Sequence, residues 1–195
     1  DTIYNLQSII IGKKTSMKTL GFYEIAKKIN GLSNLVINGI VGKFTFPLIS
    51  ETYNQGKFNK IYESIFSIIT FVIPPLVLYM AVLAKPTIII IFGQKWTNSI
   101  LILKLLSLTS IFIPYILLSK NVMKAAGKSG LILKLEIIVF SLFVSTLIIA
   151  VNYGMYGIIL CSIITIFISS ILHLREASKI ADCRLKNLLK TNLPS

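Results

Sequence analysis

"IIVFSLFVSTLIIAVNYGMYGIILCSIITIFISSILHL", residues 137–174, runs for 38 positions without a charged side chain when His173 is counted as neutral. One helical crossing of a bilayer needs about 20 apolar residues. The stretch is therefore long enough for two crossings, folded back at the polar "NYGMYG". A second charge-free run, residues 64–84, covers 21 positions and makes another span. Neither run has the roughly ten-residue apolar/polar alternation of a barrel strand, and backbone groups in lipid must be satisfied internally. The fold class is all-α, a polytopic membrane helix bundle.

The composition agrees. The 195 residues are 54% hydrophobic and 14% charged, with a mean hydropathy of +0.80, whereas soluble domains are about 25% charged. A net charge of +13 would suggest nucleic acid for a soluble protein. Here Lys and Arg flank the apolar runs, where cytoplasmic retention and anionic membrane lipids account for them, so no nucleic-acid partner is expected. Cys161 and Cys183 form no CxxC pair and suit neither a metal site nor a disulfide framework. The chain opens at Asp1, in what reads as the middle of a helix, and is expected to be a fragment.

Polar breaks divide the sequence into a partial helix before Lys13, a long helix near 21–50, and spans near 62–84, 98–119, 131–150 and 155–174. That is five complete spans and the tail of a sixth, about six transmembrane helices. Cationic residues in the connections alternate between two sides. Lys57, Lys60, Lys120, Lys124, Lys128, Arg175, Lys179, Arg184, Lys186 and Lys190 fall on one side, and Lys13, Lys14, Lys18, Lys85 and Lys95 on the other. The bias puts the basic tail, residues 177–195, in the cytoplasm. "FGQKW" and "NYGMYG" then face outward, with Trp96, Tyr153 and Tyr156 as interfacial anchors. Pro47, Pro74, Pro75 and Pro114 fall inside or near the ends of spans, either as static kinks or as flexing points of a cavity that opens to alternate sides.

Within "GFYEIAKKINGLSN", residues 21–34, the polar side chains follow a helical period. Glu24, Lys27, Lys28, Gly31, Asn34, Asn38 and Thr45 share one face, opposite Ile25, Ile29, Leu32, Val36, Ile40 and Phe44. Asp1, Asn5, Ser8 and Gly12 repeat the pattern on the first helix. Weaker stripes are Glu63, Ser67 and Thr70, then Ser141 and Ser145, then Ser162, Thr165 and Ser169. A charge at bilayer depth costs about 2.5–3.5 kcal/mol on insertion scales, so such faces turn to a bundle interior or to water. Two polar faces joined by a short loop read as two walls of one wet cavity. The other reading pairs Glu24 with Lys28 at the headgroups while Lys27 snorkels. In the cavity reading Lys27 and Lys28, with Lys43, Lys104 and Lys134 as further cations against Glu24, Glu63 and Glu136, favour an anionic cargo. Asn and Ser suit hydroxyl-rich groups.

Enzymatic motifs fail. "AAGKSG", residues 125–130, lacks the P-loop's first Gly, since Val122 stands there, and no strand precedes it. His173 lies at the cytoplasmic end of the last span, where an interfacial role is expected. No nucleophile set, metal cluster or paired carboxylates emerge, so no catalytic residue, metal or cofactor is expected.

"LGFYEIAKKI" (20–29), "FPLIS" (46–50), "KPTIIIIFGQKW" (85–96), "AAGKSG" and "YGMYGI" (153–158) stand in an order and spacing that resembles bacterial Wzx-type polysaccharide flippases. These belong to the multidrug/oligosaccharidyl-lipid/polysaccharide exporter superfamily. The resemblance implies a two-lobed transporter of the bacterial inner membrane that moves undecaprenyl-diphosphate-linked oligosaccharide to the periplasmic leaflet. Residues 1–176 resemble its C-terminal lobe with a truncated first helix, the N-terminal lobe being absent. It implies a basic central cavity, to which Asp1, Asn5, Glu24, Lys27, Lys28, Asn34 and Asn38 would contribute substrate-binding groups. A multidrug or cation antiporter of the same superfamily is the alternative, and would need an acidic cavity. A membrane-embedded polymerase or ligase would need a sizeable outward loop, and the longest expected here is 85–97.

Overall fold

The computed structural model describes residues 2–53 and 58–181, and every regular element among them is helical. The α-helices are α1 (Thr2–Lys14), α2 (Met17–Ile37), α3 (Phe44–Tyr53), α4 (Phe58–Phe92), α5 (Ser99–Ala125), α6 (Ser129–Ala150) and α7 (Gly154–Ile180). Asp1, Lys57, Cys183, Arg184, Lys186 and Lys190 lie outside the described residues. Four stretches among the described residues are long and apolar enough to cross a membrane: Met17–Tyr53, Phe58–Phe92, Ser99–Ala125 and Ser129–Ile180. The last contains α6 and α7. Thr146 meets Cys161 at 2.9 Å near their junction, and Glu136 approaches His173 at 3.6 Å farther along, so the two helices run antiparallel. Gly154, at φ 67°, makes the reversal in a region that side chains disfavour.

Local chemistry sets the other boundaries. Thr15 closes α1 by donating its hydroxyl to the Ile11 carbonyl at 2.6 Å, and Ser16 caps α2 by accepting from the Thr19 N–H at 3.2 Å. The α1–α2 hairpin is therefore only two residues wide. The long helix expected near 21–50 runs from Met17 to Tyr53 but is broken by a π-helical segment, Asn38–Lys43. Pro47 cannot donate to the Lys43 carbonyl one turn back. Asn121 of α5 reaches into this weak point and donates to the carbonyls of Val41 and Gly42 and to the Thr45 hydroxyl, at 3.4, 3.2 and 2.7 Å. The Thr45 hydroxyl donates in turn to the Val41 carbonyl.

The expected loop at 85–97 is mostly helix. α4 continues through Lys85 and Pro86 to Phe92, because Lys85 stays exposed and the isoleucine run that follows carries the helix on. Gly93, at φ 87°, ends it. The remaining connection is residues 93–98, where Trp96 folds onto the start of α2, edge-on to Phe22 with ring centroids 5.6 Å apart. At 35 residues α4 is about 52 Å long against a hydrocarbon core of about 30 Å. Phe71, Leu78, Tyr79, Val82 and Ile90 stand exposed along its outer face.

α5 is the hub and packs against α2, α3, α4 and α7. Two apolar clusters hold the bundle. One joins Ile11, Phe22, Tyr23, Ile88, Ile102 and Phe143, and the other joins Ile49, Tyr62, Phe66, Ile73, Leu118 and Val122. On α2 the first cluster ends at Ile29 and the second begins at Ile37, and on α5 they are separated by the stretch after Leu106 and before Leu118. A polar belt fills that gap: Asn30, Thr109, Ser110, Ser162, Thr165 and Ser169 are all buried.

The serine and threonine stripe of α7 is a packing seam. Two of its hydroxyls return to carbonyls of their own helix, Ser162 to Ile159 at 2.7 Å and Thr165 to Cys161 at 2.9 Å, while the Ser169 hydroxyl lies 3.3 Å from His173 Nδ1. These small side chains allow close helix approach. Ser141 and Ser145 of α6 face outward instead, against expectation, and Ser145 donates to the Ser141 carbonyl at 2.8 Å. His173, expected at an interface, is fully buried. Its Nδ1 lies 2.8 Å from the Ser169 carbonyl, and its Nε2 faces Glu136, which also pairs with Lys120 at 2.5 Å. α5, α6 and α7 are thereby tied together by side chains that the sequence assigned to separate roles.

Candidate functional site

The faces of α2 explain where a site can form. Phe22, Tyr23, Ala26, Ile29, Asn30 and Ile37 are buried in the bundle, while Leu32, Leu35, Val36 and the following Phe44 are exposed. The sequence suggested two faces. The structure has three, because a helix at the rim of a bundle packs on one side, meets lipid on the second and leaves a third. The polar residues occupy the third.

There they border a cavity of about 670 Å³. Its charged lining is Glu24, Lys27 and Lys28, its amides are Asn5, Asn30, Asn34 and Asn38, and its apolar wall is Ile25, Leu35 and Phe92. Six of the seven residues singled out from the sequence are thus brought together, and the seventh, Asp1, lies outside the described residues. Asn30 and Phe92 were not among them. Asn30 could have been found, since it stands one turn before Asn34, which stands one turn before Asn38. Phe92 was hidden because its segment was assigned to a loop.

Other expected members lie elsewhere. Lys43, Lys104 and Lys134 are exposed away from the cavity wall, and Glu136 belongs to the Lys120–His173 cluster. Glu63 is not part of the wall, and Thr45, on the same projected stripe as Lys27, is buried under Asn121 because the π-helical segment shifts the register.

The charges are not equivalent. Lys27 Nζ lies 3.7 Å from Glu24 Oε1 and donates to the Ser8 hydroxyl of α1 at 2.9 Å. The alternative pairing of Glu24 with Lys28 is not what forms. Lys28 is exposed to the cavity without a hydrogen bond or ion pair among the described residues, so the lining carries one uncompensated positive charge. α1 is fixed from behind by Gln7, which accepts from the Tyr23 hydroxyl at 2.8 Å and donates to the Ile158 carbonyl at 3.3 Å. Asn30 and Asn34 are held by Ser110 of α5, whose Oγ lies 3.1 and 2.9 Å from their amide oxygens.

A bundle of membrane-length helices with two lysines, a glutamate, several amides and an aromatic ring around one open cavity defines a multi-pass membrane protein. Residues 2–101 match the family model described as polysaccharide biosynthesis protein, and the chain belongs to that family. It is also 26% identical over 128 residues, 65% of its length, to the teichuronic acid biosynthesis protein TuaB of Bacillus subtilis (strain 168). The chain spans about a quarter of that relative, 26% of its length. No solved structure matches.

Proposed function

We propose that this chain is the C-terminal lobe, residues 1–176 with a basic cytoplasmic tail at 177–195, of a flippase in the bacterial inner membrane. It translocates undecaprenyl-diphosphate-linked oligosaccharide for surface polysaccharide synthesis by alternating access, without catalysing a covalent step. The N-terminal lobe of the same polypeptide closes the open side of the cavity, and about six helices of this lobe cross the membrane. Family membership and the relative named for teichuronic acid biosynthesis support a role in polysaccharide assembly. The observation that carries the reading is the cavity in which Lys28, beside amides, has no ion-pair partner among the described residues. A cation among the described lining residues without an ion-pair partner favours a diphosphate, and amides can both donate to and accept from sugar hydroxyls. An antiporter of the same superfamily would need a carboxylate available for ions, whereas Glu24 lies in an ion pair with Lys27.

The test uses the full native chain in its host, carrying Lys28→Glu or, separately, Lys27→Glu. Lys28→Glu is expected to retain lipid-linked oligosaccharide on the cytoplasmic leaflet and to lower surface polymer, with the protein folded in the membrane. The Lys27 change should also disturb α1 through Ser8. Unchanged lipid intermediate and polymer in a folded Lys28→Glu protein would refute the anionic path.

A further inference from the structure

Ser110 sits 1% exposed between two cavity-lining amides. Its hydroxyl carries one proton, so it can donate to one amide oxygen at a time. Both contacts can be hydrogen bonds only if the second amide is turned so that its N–H donates to Oγ. Whichever amide takes which role, the consequence is the same. One Asn has its oxygen occupied and its NH2 free, and the other has an N–H occupied and its oxygen free. Both line the cavity, so a donor group and an acceptor face it side by side, one helical turn apart on α2. The oxygen and nitrogen of such amides are set by their network, and this network has two equivalent settings, exchanged when the hydroxyl rotates and both amides flip.

We infer that Ser110, Asn30 and Asn34 form a glycan subsite, in which Ser110 is a positioning residue that holds the two amides as a complementary donor–acceptor pair. The inference rests on the flippase reading for the identity of the cargo and adds the part of the cavity that reads its sugar. A sugar's neighbouring hydroxyls each donate and accept, so a reversible donor–acceptor pair accommodates either hydroxyl pattern, where a fixed charge would not. The position suits this role. The three residues lie between the two apolar clusters, with Ser110 and Asn30 buried and Asn34 half-buried at the cavity. Lys28, which takes the anion, lines the same cavity. Phe92 completes the wall with an aromatic face, on which the C–H edge of a sugar ring can pack.

The experiment measures equilibrium binding to the full native chain of a short-chain polyprenyl diphosphate, bare or carrying one N-acetylhexosamine. Ser110→Ala is expected to lose about five- to thirty-fold of affinity for the sugar-bearing probe, the equivalent of one or two hydrogen bonds, and to bind the bare diphosphate within about two-fold of wild type. Ser110→Thr, which keeps the hydroxyl, should restore most of the loss. Asn34→Leu leaves Ser110 in place, keeps the test available if the alanine variant does not fold, and should give the same sugar-selective loss. Equal weakening of both probes would show that Ser110 only holds helices together, and an unchanged ratio in both variants would also overturn the subsite. The two readings fail separately. If Lys28→Gln leaves the bare diphosphate unaffected while Ser110→Ala still costs sugar affinity, the anion site falls and the glycan subsite stands. If wild type binds the bare and sugar-bearing probes alike, the subsite falls alone.

Discussion

Replacing Glu24 by Gln should make the cavity bind anions more tightly, a gain from deleting a charged wall residue. Glu24 cancels Lys27 across 3.7 Å, so the wall's three charges leave one positive charge. Removing the carboxylate leaves two. Two unit charges at that distance interact by about 1 kcal/mol in water and by about 4–5 kcal/mol at an effective dielectric of about 20. The side chains of Lys27 and Glu24 are 25% and 45% exposed, and exposed pairs are measured near the bottom of that range. A diphosphate charge held against Lys27 would stand at a comparable distance from Glu24, so removing that screened repulsion should gain roughly 1 kcal/mol, about a five-fold tighter Kd. Titration of a short-chain prenyl diphosphate into the detergent-solubilised full chain reads this directly. Lys28→Gln should weaken binding by a similar or larger factor. Both effects should shrink as ionic strength rises, because the cavity is open to solvent. If Glu24→Gln binds the diphosphate no better than wild type at low salt, Glu24 does not offset Lys27 toward an anion in the cavity, and the charge balance argued for its wall is wrong.

Two further perturbations test the scaffold that carries the site. Asn121→Leu and Thr45→Val, alone and together, should show a coupling of roughly 0.6 kcal/mol, and at most about 1.7 kcal/mol, in unfolding free energy, the average and maximum for hydrogen bonds between membrane helices, since their side chains meet at 2.7 Å beside the π-helical segment; additive effects would show that the contact does not support that segment. Gly93→Ala forces a side chain to φ 87° and ψ 171°, a region that is essentially confined to glycine, and should cost about 1–3 kcal/mol. It should also red-shift the emission of Trp96, the chain's single tryptophan, as its contact with Phe22 loosens; unchanged melting and emission would mean that the turn adapts without strain.

The helical class and the fold-back at "NYGMYG" were legible because chain length in lipid and backbone satisfaction leave few alternatives. So was the clustering of Glu24, Lys27, Lys28, Asn34 and Asn38, which follows from helical period alone, and Asn5 was placed across from them by the two-residue hairpin. Period could not assign the pairing. Glu24 chooses Lys27 over Lys28 because Ser8, from another helix, holds the Lys27 ammonium. Nor could it foresee that α4 would run past Lys85, where a long side chain keeps its charge exposed while the backbone stays helical. Ser110 belongs to none of the polar stripes, and its place arises only because α5 brings it between two amides 80 and 76 positions away in sequence.

The polar stripes of α2 and α7 look alike as patterns, yet one borders a cavity and the other closes into a seam. The difference lies in reach. A serine or threonine hydroxyl is short enough to bond a carbonyl of its own helix three or four residues back, as Ser162, Thr165 and Ser170 do. It enters the interface already satisfied, and the neighbouring helix can close over it. Asn, Lys and Glu end beyond the helix surface and cannot satisfy themselves in this way, so each needs a partner from elsewhere or water. Asn30 and Asn34 find only Ser110, Lys27 finds Glu24 and Ser8, and Lys28 and Asn38 find none among the described residues. An apolar helix closing over that face would strand several polar groups at several kcal/mol each. In a membrane bundle it is therefore the length of the polar side chains along a stripe, more than their period, that separates a dry seam from an open cavity.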